Sequence, residues 1–124
     1  LRAEQEAVQV DFVVGNIEDL PLPDRSFDVV MAESVTIFAD SALALREYNR
    51  VLKPSGVLYD RELIAVKPIS AKLNKQITQF YGVSRVWTTE EWQELLHSAG
   101  YTQLELLQPG VLNELDWQDE MKHP

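Results

Sequence analysis

The sequence predicts an α/β protein with a largely parallel sheet. Three observations predict it. Short β-rich runs alternate with apolar sets at helical spacing, one run is apolar nearly throughout, and the boundaries between them carry Pro and Gly. Such alternation implies a layered fold whose strands are joined by right-handed crossovers. At 124 residues the chain is one domain, large enough to bury roughly two-thirds of the surface its unfolded form would expose.

The elements follow in order. Residues 1–7 read as the last turns of a helix, and "VQVDFVV" (8–14) as a strand rich in β-branched and aromatic residues that ends at Gly15. A polar, proline-bearing stretch leads to "DVVMAE" (28–33), a run suited to a strand buried on both faces. Asp40 is placed to cap a helix over 41–52, whose apolar set is Leu45, Tyr48 and Leu52 beside Ala44 and Val51. "KPSG" stops it: Lys53 suits the negative helix end, Pro54 cannot continue, and Gly56 is expected to take a positive φ. A third strand spans 57–63. A short helix over 70–82 carries Leu73, Ile77 and Phe80/Tyr81 and ends at Gly82. Thr88 and Glu91 form a capping box for a helix over 88–100 with the stripe Trp92, Leu95, Leu96 and Ala99, closed by Gly100. "YTQLELL" (101–107) is a fourth strand, and the segment from Pro109 onward gives no clear element.

Composition excludes several classes. Hydrophobic residues make up 45% and charged residues 25%, the balance of an ordinary globular domain. No run approaches the ~20 apolar residues that cross a bilayer, so no membrane role is expected. No basic n-region precedes an apolar one, so no signal peptide is read. Zero cysteines remove disulfides, thiolate catalysis and cysteine-bound metals, and fit a reducing cytoplasm. The net charge of −9 argues against nucleic acid; Lys67, Lys72 and Lys75 read as a solvated face.

No GxSxG elbow, HExxH pair, P-loop or GxGxxG is present, and His97 and His123 make no metal site. Ligands of open α/β sheets collect at the carboxyl ends of strands. That rim holds Gly15, Asn16 and Ile17, then Ala32 and Glu33, then Glu62. Asn16, with an acceptor and a donor, either caps a turn or reads a ligand edge. Glu33 and Glu62 are either solvated acids or a carboxylate pair. Phe80, Tyr81, Trp87 and Trp92 either pack a core or line a pocket.

"GNIEDLPLPDRSFDVVMAESV", "ALREYNRVLKPSGVLYDRE" and "TTEEWQELLHSAGYTQLEL" together resemble the class I S-adenosylmethionine-dependent methyltransferases, in their small-molecule and quinone-type branch. The resemblance spans about residues 8–107. It implies an incomplete Rossmann-like three-layer sandwich, a single partial domain over 1–124, and S-adenosylmethionine as cofactor. By resemblance Asn16 stands where an Asp accepts from the adenine amino group. Ile17 stands where a backbone N–H meets the ring, and Ala32 and Glu33 border the methionine part. Residues 64–87 stand where the family builds substrate lids. Glu62, Phe80, Tyr81 and Trp87 thereby become substrate-pocket candidates for a small molecule. No catalytic residue is assigned. Asn for Asp loses a charge-assisted bond.

The family's Gly-rich first strand, its second strand and its last strand have no counterpart here. The chain is therefore expected to act as part of a longer enzyme and to be inactive alone, or to serve as a non-catalytic interaction module. Residues 8–14 are expected to find a new strand partner in this chain or a second copy, giving a homo-oligomer through unpaired edges, unless the protein is longer.

Overall fold

The structure, a computed structural model, describes residues 9–107. Strand β1 (Phe27–Glu33) leads through a 3-10 turn (Thr36–Phe38) to helix α1 (Ser41–Val51). Strand β2 (Leu52–Arg61), helix α2 (Ala71–Tyr81) and helix α3 (Thr89–Ser98) follow. β1 and β2 pair in parallel, from Val29 opposite Val57 to Glu33 opposite Arg61. The fold class predicted from sequence stands.

Side chains alternate across a strand. Ala32, Val30 and Leu58 join Ala44, Leu45 and Tyr48 of α1, Trp92 of α3, and Ala99 in the main core. Tyr101 ties the far end of the chain to α1 by donating from its hydroxyl to the Leu45 carbonyl at 2.9 Å. The opposite sheet face, Val29, Met31, Val57 and Tyr59, is exposed. Two of the three expected layers are thus present among the described residues. A second cluster of Ile37, Ala65, Val83 and Val86, with Ile69 and Ile77 against it, lies beside α2.

Helix boundaries follow local chemistry. Asp40 accepts from Leu43 N at 3.1 Å, Ser70 from Leu73 N at 3.1 Å, and Thr88 and Glu91 complete the reciprocal capping box. Gly82 closes α2 in the left-handed region at φ 74°, as expected of its position. Gly56 departs from expectation, because its φ is not positive. The register slips between Phe27↔Leu52 and Val29↔Val57, so "KPSG" bulges while still belonging to β2. A Cβ on Gly56 would stand 2.8 Å from Leu52 Cδ2 and 3.1 Å from the Asp28 carbonyl. Close contacts within its own bulge, with Leu52 and the Lys53 carbonyl, together with the Asp28 carbonyl of β1, favour glycine there.

The strands expected at 8–14 and 101–107 do not form among the described residues. A strand is stabilised by a hydrogen-bonded neighbour, and β1 and β2 pair only with each other. Phe12 and Val14 are left 74% and 99% exposed. The new partner expected for 8–14 is not found among the described residues. Residues 1–8 and 108–124, including the helix tail expected at 1–7 and His123, lie outside the described residues. No helix among the described residues is long and apolar enough to cross a membrane.

Candidate cofactor-binding site

The polar loop after residue 14 is fixed by its own backbone and by α1. Asn16 Oδ1 accepts from Glu18 N at 2.9 Å, and Asn16 O accepts from Asp19 N at 2.9 Å. Asn16 therefore caps a turn, while its exposed amide keeps two N–H donors and a second Oδ1 lone pair. Gly15 is demanded by the loop itself, since a Cβ there would fall 2.5 Å from Pro21 Cδ. Ile17 is half-buried against the main core.

Glu47 and Arg50, one turn apart on α1, clamp the return of this loop. Glu47 Oε1 accepts from Leu20 N at 2.8 Å. Arg50 donates to the Leu20 and Leu22 carbonyls at 3.0 and 2.9 Å, to Asp24 Oδ1 at 2.6 Å, and to Glu47 Oε2 at 2.7 Å. The Arg50 hydrogen bond holds the Glu47 carboxyl below its usual range. Farther up, Glu18 Oε2 accepts from Asp40 N at 3.2 Å. Asp40 caps α1 just beyond the carboxyl end of β1. The Asn16 turn is thereby held beside that strand end, on the rim where α/β folds bind ligands. The clamp was not singled out from sequence, although its Glu-x-x-Arg spacing lies within the quoted stretch that resembles the family.

At the end of β1, Ala32 is buried and Glu33 is exposed. Ser34 follows at φ 55°, a left-handed conformation uncommon outside glycine. Glu33 does not pair with Glu62. In register it meets Arg61, 3.4 Å away at the surface. Glu62 instead accepts from Thr36 N at 3.0 Å. Its partner is Asp60, two residues back on the same strand face. Asp60 Oδ2 accepts from Thr36 Oγ1 at 2.8 Å, and Thr36 Oγ1 also meets Tyr48 Oη at 3.0 Å. Burial pushes the Asp60 carboxyl up to about 8, helped by its hydrogen bond to Glu62 and by that group's charge. With both groups ionised, Asp60 Oδ1 and Glu62 Oε2 are buried without a donor; a proton held between them partners both. Burial also raises the Tyr48 hydroxyl. The sequence signal that would find this pair is the period-two spacing of the acids in "YDRE".

The aromatic candidates separate. Trp87 lines a groove of about 330 Å³ with Asp40, Ser41, Ser84, Arg85 and Leu95. The Arg85 guanidinium lies 4.4 Å above its ring and donates to Glu91 at 2.6 Å. Trp92 is buried in the core. Phe80 and Tyr81 meet edge to face at 4.8 Å on α2, outside the groove, with Phe80 81% exposed. The substrate candidates therefore do not gather at one place. His97 is exposed, with Nδ1 3.1 Å from the Tyr101 carbonyl. Among the described residues, no group of acids and histidines could hold a metal ion.

Comparison with known proteins bears on this rim. A methyltransferase-domain family profile matches residues 1–60. The methyltransferase YodH of Bacillus subtilis is 35% identical over 106 residues, covering 86% of this chain and 46% of that protein. The demethylmenaquinone methyltransferase of Thermotoga maritima is 38% identical over 80 residues, 64% of this chain and 34% of its own length. The crystal structure of the Bacillus subtilis YcgJ protein superposes on 99% of this chain and 55% of its own, with TM-score 0.74 at 24% identity. This chain belongs to the class I methyltransferases. It spans about half or less of the length of these proteins.

Proposed function

We propose that the chain contributes one side of an S-adenosylmethionine-dependent small-molecule methyltransferase, and that it does not turn over alone. The supporting observation is the Glu18–Asp40 hydrogen bond, which ties the Asn16 turn to the start of α1, the helix that follows β1. Asn16 offers an acceptor and donors to an adenine edge, and Ile17 offers a backbone N–H. The small Ala32 and the exposed Glu33 border the path to the methionine part. These residues fit the cofactor in kind: the exposed Asn16 amide has hydrogen-bonding capacity left after capping its turn. S-Adenosylmethionine supplies an electrophilic methyl group on sulfur. The protein's share is to orient acceptor and cofactor in line and exclude water, which needs no dedicated base. Similarity to demethylmenaquinone methyltransferase favours a quinone-like or other small aromatic acceptor, with Trp87 as a wall of its groove.

Titration of the isotopically labelled chain with S-adenosylmethionine, read by amide NMR shifts, tests the assignment. Expected is millimolar binding with shifts centred on Gly15–Ile17 and Ala32–Glu33, weakened by Asn16→Ala. Shifts elsewhere, no shifts at all, or equal binding by the variant would overturn it.

A further inference from the structure

We infer that Asp60 and Glu62 are positioning residues, a proton-dependent latch that holds the 34–38 segment beyond β1 and, through it, Ser84. The consequence for cofactor binding rests on the function proposed above; the latch itself does not.

Three of the bonds that fix this segment come from the end of β2. Ser34 N donates to the Arg61 carbonyl at 2.8 Å, Thr36 N to Glu62 Oε1 at 3.0 Å, and Thr36 Oγ1 to Asp60 Oδ2 at 2.8 Å. Between them sits Ser34 at φ 55°, a backbone conformation that persists in a non-glycine residue where its surroundings over-determine it. The same turn passes the constraint onward. Ser41 Oγ donates to the Thr36 carbonyl at 3.2 Å, and Ser84 donates from N and from Oγ to the Ile37 carbonyl, at 2.8 and 3.0 Å. The start of α1 and residue 84 are thus joined to one short turn, and that turn is held by two carboxyls.

Counting hydrogens sets the state of the pair. Thr36 has one hydroxyl hydrogen and gives it to Asp60 Oδ2, so Tyr48 donates to Thr36 Oγ1 at 3.0 Å. Thr36 N occupies Glu62 Oε1. The other two oxygens, Asp60 Oδ1 and Glu62 Oε2, are shut from solvent by this chain's own residues and have no donor. Added chain has no route to them, whereas one proton held between the carboxyls serves both. The other titratable groups facing the pair are Tyr48 on α1 and Tyr101 beyond α3. Burial raises both hydroxyls, so they stay protonated while the pair titrates. Arg61, between the acids in sequence, meets Glu33 at the surface instead. Release of the shared proton to solvent leaves two adjacent buried carboxylates, and turning either one away gives up a bond to Thr36.

The test follows carbon-13 shifts of the ligand-free chain from pH 5 to pH 9.5. Expected is an Asp60 carboxyl that titrates at about 8, with the Thr36 and Ile37 methyls and the Ser34 and Ser84 Cβ atoms sharing its midpoint. The Val51 methyls, buried at the other end of α1, should not follow. Asp60→Asn and Glu62→Gln each place a permanent amide donor between the two side chains, and should keep those atoms at their low-pH positions over the whole range. Overturning results are two carboxyls that titrate in the ordinary acid range, a transition at about 8 that leaves Thr36, Ile37 and Ser84 unmoved, equal movement of Val51, or an alkaline transition that survives either substitution. From pH 7 to pH 9, S-adenosylmethionine binding should weaken about three- to tenfold more in the native chain than in Asp60→Asn, a comparison that cancels the ligand's own titration. Equal weakening overturns the link between latch and rim. No binding at either pH sinks the cofactor assignment alone, because the ligand-free shifts decide the latch.

Discussion

Buried at the carboxyl end of β2, Asp60 gives one oxygen to Thr36 and leaves the other facing Glu62 without a donor when both are ionised. Its carboxyl, ordinarily near 3.9, is pushed up to about 8 by burial first and Glu62 second. The folded chain therefore keeps a proton that the unfolded chain releases. Stability from this source is complete below about pH 4 and is lost as pH rises towards 8. Glu47 and Glu91 act in the opposite sense, since hydrogen bonding lowers both carboxyls. Their contributions disappear only in acid, so the pH 5–8 window isolates Asp60. The urea midpoint should fall from pH 5 to pH 8. Asp60→Asn should flatten that slope, because its amide donates to Glu62 at any pH while its carbonyl serves Thr36. A native midpoint that rises over this range would contradict the assignment. Arg50 makes a second residue-level case. Arg50→Ala frees the Leu20 and Leu22 carbonyls, and should speed amide exchange across residues 16–24 while leaving α1 protected.

At the scale of elements, local chemistry was legible wherever a side chain bonds its own neighbourhood. Asp40, Gly82 and the Thr88–Glu91 box announce helix ends, and the structure places each as read. Thr88→Ala should cost about 1 kcal/mol in global stability, with faster exchange in the first turn of α3; a change below a few tenths would mean the box is ornamental. Strands were legible only in part. Runs 8–14 and 28–33 look alike in composition, yet among the described residues only the second has a strand neighbour, because pairing is a property of the whole sheet. The candidate site divides the same way. Residue type and strand order nominate a rim, but the Glu47–Arg50 clamp on residues 20–24 and the contacts of Asp60 and Glu62 with Thr36 join distant segments. Gly15 shows the limit from the other side: it is required by a close contact with Pro21 that its own strand-end pattern does not reveal.

The described residues build two unequal cores. The sheet, α1 and α3 enclose Ala44 and Leu45 at 0% exposure, with Tyr48 at 3%. The cluster beside α2 is smaller, and α2 itself buries no residue fully. Opening free energies scale with buried apolar contact, so the two parts should not open together. Residues 64–87, which the family resemblance marks as a substrate lid, belong largely to the weaker core. In native-state hydrogen exchange the α2 amides should therefore exchange at lower denaturant than those of α1, by local opening that leaves α1 protected. Leu45→Ala should cost about 2–5 kcal/mol and lower protection in α1, β2 and α3 alike. Val86→Ala, in the smaller core, should act chiefly on α2 and its flanks. Equal loss of protection in α1 and α2 from either substitution would show a single cooperative unit, and would remove the physical basis for a lid that moves while the rim stays fixed.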